Sequence, residues 1–506
     1  MVEAILAPAG PPHKLVFTNV WAHGRSTGRR GPGGRFPRRV HFDCSGPSDQ
    51  TGRRLHGHLD TSLLTAPIES RQSSPFPAVA VVICAAMAGL YLWFVHAYGV
   101  NVPFEDEWHM VTLLASVHRG QLNLGLLWAQ HNENRMLFAY LLLLALELTS
   151  RFDTVVEMYC SAALLLVALL AVWRVHARTG GAPWALVPAV LVLLSLAQFT
   201  VALQGFALAI YLVLACFAVG LWLLEASSTS VWLLGLAAVI GIVASYSSIQ
   251  GLAVWPAGIA YLIARNRSPR TVVSWTAVGV ITSAVYLIGF NWSLTGGGGF
   301  RAALVHPTTS LHYLALLAGS VVPQSSVLHL DLRALSALGV VLLLAAAAAY
   351  LLYWRIRPAP EMALALSLIT LGLVVDILNT LGRAGEGVSY ANSGRYVVFN
   401  LWLLAGLWLA AGNLWRRLRM QSALPSLVLI AAGVLVALQI TLSIHAGLVE
   451  GQDLHRQREV AVHLVDRYQT APPGLVEVDV YPSYPVFRQR AAILRQLHLS
   501  VFAGSG

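Results

Sequence analysis

Sparsely charged apolar runs of about 18 residues or more recur from Pro75 into the 440s, and this constrains the fold before anything else does. Across a bilayer such a run satisfies its own backbone hydrogen bonds only as a helix. A lipid-facing β-barrel would instead need short segments of alternating polarity, and the chain has none. Composition agrees: 57% of the residues are hydrophobic and 11% charged, against about 25% charged in a soluble domain. The expected fold class is all-α, a polytopic helical membrane protein.

The apolar runs fall near 76–98, 154–173, 183–199, 204–224, 231–247, 250–264, 271–290, 333–354, 361–381, 396–413 and 423–444, eleven expected spans. The net charge is +10, and the arginines cluster beside these runs. That is how cytoplasmic positive charge orients a membrane protein, so nucleic-acid binding is not indicated. Residues 1–74 are rich in Arg, Gly, Pro and Ser and read as a disordered, basic, cytoplasmic tail. The first span then runs outward and makes 99–153 an outer loop. Within that loop, Met136–Leu148 is too short to cross comfortably and is expected to lie at the outer surface. This parity keeps Arg174 with Arg178, Arg265 with Arg267, Arg355 with Arg357, and Arg416-Arg417 with Arg419 inside. Residues 291–332 form a second outer loop with Gly296–Gly299 and a surface helix over 311–322. Residues 445–506 read as a small extracytoplasmic cap, with helices over 453–468 and 487–497 and a short strand over 476–480. The expected location is the plasma membrane. The four cysteines, Cys44, Cys84, Cys160 and Cys216, form neither a disulfide framework nor a CxxC site.

Against this background, residues 104–135 are a polar island. It opens with Phe104-Glu105-Asp106-Glu107-Trp108-His109 and closes with Gln130-His131-Asn132-Glu133-Asn134-Arg135. Ionisable groups next to hydrocarbon are costly, so such a density suggests function, although a solvated connecting loop would also carry charge. The same expected face collects Gln198 and Gln204, Tyr246–Gly251, Asp376 and Asn379, and the turn from Gly382 to Tyr396 with Arg383 and Arg395. Gln204 and Gln250 suit substrate contact and interhelical hydrogen bonding equally. Arg383 and Arg395 run against the orientation rule and suit a phosphate or pyrophosphate; pairing of Arg395 with Glu386 is the structural alternative. A transporter would need polar groups near mid-span and access from both faces. Here Asp376 is the main mid-span candidate, and the one-sided pattern favours an enzyme acting on a lipid-linked substrate.

One span followed by an outer loop with an acidic pair, surface helices and many further spans resembles the GT-C superfamily of glycosyltransferases, which use polyprenyl-phosphate sugars. The residues carrying the resemblance are Phe104–Trp108 and His131–Arg135, with the order Gly251–Pro256, Gly382–Tyr396 and Tyr481-Pro482 shared by a group of bacterial multi-pass proteins of this type. Where many mannosyltransferase relatives have a His-Pro-Pro-like entry to the surface helix, this chain has Glu133-Asn134-Arg135. The resemblance implies inverting transfer of a sugar from a polyprenyl-phosphate donor to a glycan, lipid or protein acceptor at the bilayer surface. It implies Asp106 as the base, Glu107 as its alternate, and His131 as partner or sugar contact. Arg383 and Arg395, with Arg135 sharing the task, would hold the phosphate. Glu133, Gln204, Gln250 and Tyr396 complete the expected substrate contacts. No cofactor is demanded; a divalent ion on Asp106, Glu107 or Glu133 is compatible, but no HxxxH or HExxH spacing asks for one. The rival readings are a lipid-linked oligosaccharide polymerase or ligase, leaning on a large late loop, and a non-enzymatic transporter or flippase.

Overall fold

The computed structural model describes residues 76–228, 230–292, 299–322, 331–418 and 423–504, which belong to one compact unit. The tail over 1–74, Gly296–Gly298 and Arg419 lie outside the described residues.

Helix α1 (Phe76–Tyr98) has no Asp, Glu, Lys or Arg in 23 residues and spans about 34 Å. A 3-10 turn at Glu105–Glu107 leads into α2 (Trp108–His118). The short α3 (Leu124–Trp128) starts where the Asn123 side chain accepts the Leu126 amide. Strands β1 (Gln130–His131) and β2 (Asn134–Arg135) pair antiparallel, with Asn132 in the left-handed region at their turn. Helix α4 (Leu137–Ser150) has 14 residues, about 21 Å, which is short for a span, as the sequence predicts. Helix α5 (Thr154–Thr179) is capped by Asp153 and ended by the left-handed Gly180. Next come α6 (Leu186–Leu193), α7 (Phe199–Ala202), α8 (Leu208–Ala226), α9 (Val231–Ser245), α10 (Val254–Ala264) and α11 (Pro269–Leu287). They are followed by α12 (Gly299–Val305), α13 (Pro307–Gly319), α14 (Leu332–Ile356), α15 (Ala363–Arg383) and α16 (Val397–Leu418). The chain closes with α17 (Leu424–Asp466), α18 (Pro473–Asp479) and α19 (Tyr484–Gln496).

Among the described residues, nine helices are long and apolar enough to cross a membrane. The other two expected spans form helices at Val231–Ser245 and Ile249–Ala264, which are shorter than a full crossing. α8 and α16 sit centrally and are mostly buried, whereas α1, α11 and α14 expose apolar faces such as Val81, Val273 and Leu351. Those faces suit hydrocarbon rather than water.

The C-terminal segment departs from expectation twice. The expected span over 423–444 and the helix over 453–468 are one unbroken helix, α17, of 43 residues. The glycines between them lie in close packing contacts. A Cβ at Gly447 would strike the Leu196 backbone, and one at Gly451 would strike Phe94 and Tyr98. The expected strand over 476–480 lies largely in α18. Val476 and Val480 are buried while Val478 is exposed, which is the helical i, i+4 pattern; a strand would put all three on one face. A second apolar core formed by Trp108, Val111, Phe487, Ala491 and Leu494 fastens α18 and α19 to α2.

Candidate active site

The polar motifs come from five distant segments and meet in one cavity of about 190 Å³. Its walls include Glu105, Asp106, His131, Glu133, Gln204, Gln250, Arg383, Arg395 and Tyr396. Of the sequence-predicted site residues, only Glu107 and Arg135 lie outside the lining.

The acidic turn distributes three consecutive carboxylates in different directions. Glu107 is fully buried; its Oε2 accepts the Phe104 amide at 2.8 Å and its Oε1 the Phe206 amide at 3.0 Å. It therefore pins the turn to the Gln204–Phe206 segment and does not reach the cavity. Asp106 lies 3.4 Å from His131 Nε2, in electrostatic contact but longer than a well-formed hydrogen bond. Burial presses the Asp106 carboxyl upward, but the His131 imidazole and the Arg395 and Arg383 guanidiniums outweigh it and hold it below the ordinary carboxylate range. Glu105 is raised instead, chiefly by burial, with neighbouring Asp106 adding to it and Arg395 and Arg458 opposing. Its backbone is left-handed, with φ +48°. His109 packs 5.0 Å from the His131 ring and 5.7 Å from Tyr140, and burial, then His131 and Arg490, bring its imidazole down to about 4.

The β-hairpin forms the facing wall. Glu133 holds Arg383 with both carboxylate oxygens, the guanidinium donating at 2.5–3.1 Å. Arg383 also donates to Glu386 at 2.8 Å, so Glu386 belongs to Arg383 and not to Arg395, correcting the sequence-based alternative. Arg395 donates to the Tyr390 hydroxyl and stacks near Tyr390 and Tyr396, yet its Nε is buried without a partner. Arg135 is no phosphate ligand here: it donates to the carbonyls of Tyr286, Trp128 and Ile288 at 2.6–2.9 Å and braces the hairpin. Gln250 accepts from Ser248 and donates to Asn379 at 3.3 Å, which is the interhelical hydrogen bonding expected of it, and it also lines the cavity. Gln204 contributes wall surface.

Sequence reasoning left Glu105, Asn134, Thr200 and Arg458 unassigned. Glu105 and Asn134 stand inside motifs already noted; Asn134 accepts from Ser248 Oγ at 2.9 Å and from the Ile249 amide at 3.0 Å. Thr200, on α7, offered no local signal. Among the described residues, no group of three or more His, Cys, Asp or Glu is placed to hold a metal ion, and Glu133 is committed to Arg383.

A second cavity of about 220 Å³ adjoins the first, sharing Glu133 and Arg383 as lining residues. Its other walls are mainly apolar: Ile249, Leu252, Leu287, Phe290, Phe300, Leu378 and Leu381. The chain matches no family model, no curated protein and no solved structure. The functional reading therefore rests on the site itself.

Proposed function

We propose that the protein is a GT-C-like membrane glycosyltransferase that moves a sugar from a polyprenyl-phosphate donor to a hydroxyl of an envelope glycan, lipid or protein. The observation that carries this reading is the adjoining pair of cavities, one polar with an ionised carboxylate and an arginine with a free donor, the other apolar. A lipid-linked anion needs both chemistries within a few ångströms. In this reading the isoprenoid chain lies along Phe290, Leu378 and Leu381, and the phosphate faces Arg395.

The acceptor oxygen attacks the anomeric carbon, the bond to the phosphate oxygen breaks, and the configuration inverts. Asp106 takes the acceptor proton, and the polyprenyl phosphate leaves with the bonding pair. Arg395, on the cavity wall, supplies a guanidinium for the charge developing on that phosphate. His131 holds Asp106 in its ionised form and lines the sugar cavity. Arg383, saturated by Glu133 and Glu386, contributes field and shape rather than a free hydrogen bond.

A transporter reading has one observation in its favour. Asp376 is buried on α15, with both carboxylate oxygens unpartnered. The two readings separate by experiment. Deletion of the gene, with lipid-linked sugars and envelope glycans compared before and after, should show a donor accumulating and a glycan lost. Purified protein in nanodiscs should then transfer sugar from a synthetic polyprenyl-phosphate hexose. Movement of the lipid-linked sugar across the bilayer without transfer would sink the enzyme reading.

A further inference from the structure

The long helix α17 reaches the acidic turn through a stripe of three residues. Gly451, His455 and Arg458 stand at i, i+4 and i+7, one face of the helix. Gly451 packs against Phe94 and Tyr98. His455 Nδ1 lies 3.3 Å from the Tyr98 carbonyl. Arg458, 5% exposed, places its guanidinium carbon 3.7 Å from the Phe104 ring centroid. Its Nε and Nη1 have no hydrogen-bond partner, and the charges acting on it are the carboxylates of Glu107 and Glu105.

These contacts bear on a strained piece of backbone. Glu105 is in the left-handed region, which is strained for a residue with a Cβ. Such a conformation persists only where the surroundings over-determine it. One side of the turn is held by Glu107, whose carboxylate bonds the Phe104 and Phe206 amides. The other side faces Arg458, which lies on the ring preceding Glu105 and attracts the glutamates on either side of Asp106. With both neighbours held, Asp106 between them is left facing His131.

We infer that Arg458 is a positioning residue of the site: it sets the Glu105–Asp106–Glu107 turn and so makes the C-terminal segment a working part of the cavity. The role of the turn in transfer rests on the glycosyltransferase reading; the geometric effect does not. Aromatic contacts of Trp108 with Phe487, at 5.3 Å, and with Tyr481, at 6.4 Å, join the same segment to the residue after the turn.

The test uses full-length Arg458→Gln and Arg458→Lys in nanodiscs with two readouts. Hydrogen–deuterium exchange should quicken across 104–108 in Arg458→Gln while α15 and α16 keep their protection. Steady-state transfer should lose kcat by about 10²-fold, the size expected for a displaced catalytic group, with donor KM little changed. Added guanidinium ion should restore part of the loss. Arg458→Lys, which keeps charge but not the planar stack, should fall between, and it carries the test if Arg458→Gln does not fold. Unchanged exchange at 104–108 overturns the inference whatever the activity, as does a general loss of thermal stability with kcat and KM intact. If the wild-type protein transfers no sugar but the exchange pattern appears, the transferase reading falls and the brace stands.

Discussion

Helix α8 joins two polar networks that solve the same electrostatic problem differently. Ala209 and Ile210, near its start, line the cavity; Glu225, near its end, anchors the opposite network. There a single carboxylate accepts from the Tyr261 hydroxyl, twice from Arg265 and again from Arg267, at 2.6–3.1 Å. At the cavity, Asp106 has one neighbour at 3.4 Å and Arg395 carries a buried Nε with no partner. Buried polar groups in proteins are nearly always paired, and the open groups at the cavity are the ones that the proposed lipid-linked substrate would engage. The Glu225 carboxylate is fully engaged, although Arg267 Nε beside it is also buried without a partner; the Asp106 carboxylate is not.

The most forceful way to break this comparison is Asp106→Asn. It keeps the shape and, in the proposed transferase, removes the base, so transfer should fall on the order of 10²- to 10⁴-fold with expression and melting temperature preserved. Near-normal turnover would move the base elsewhere. Next comes Arg395→Lys. Charge survives but the planar guanidinium does not, and a loss on the order of 2–4 kcal/mol of transition-state stabilisation is expected in kcat/KM for a polyprenyl-phosphate sugar. Wild-type rates would make Arg395 structural. Glu225→Gln should do the reverse: about 1–3 kcal/mol of stability lost in thermal unfolding, with donor KM unmoved. A change in donor KM there would erase the distinction between the two networks.

Most of the helical architecture was legible because a bilayer leaves one option for a long apolar run. What misled was local chemistry overruled by packing. The polar residues after 444 end the apolar run but not the helix, and the β-branched Val476–Val480 looks like a strand yet turns one helical face inward. The convergence of the site was legible too, since Asp106, His131, Arg383 and Arg395 cannot sit in lipid and have few places to gather. Their pairings were not. Arg383 takes Glu133 from 250 positions away, and Arg135 is absorbed by carbonyls of Tyr286 and Ile288, more than 150 positions off. Nothing in the local sequence distinguishes those saturated arginines from the open Arg395. Arg458 stood in an apparently ordinary soluble tail, and only the continuity of α17 brings it to the turn.

The smallest expected effect probes the cavity side through pH. His109 is held near 4 in the folded protein, against about 6.5 for a free imidazole. Burial sets this first, then His131 on the hairpin and Arg490 on α19, while Asp106 on the turn opposes them. As pH falls from about 6.5 toward 4, the unfolded chain takes up this proton and the folded chain does not, so folding loses stability across that window. Above about 6.5 both states leave the ring neutral and the contribution vanishes. His109→Gln, neutral throughout, should therefore match wild type in melting temperature near pH 7.5 and exceed it near pH 5. The difference should be on the order of 1 kcal/mol once partial solvent screening is allowed for. Parallel pH slopes for the two proteins would mean that His109 is already hydrated in the folded state. The acidic turn would then be wetter, and less tightly packed against its neighbours, than the Glu225 network to which it is compared.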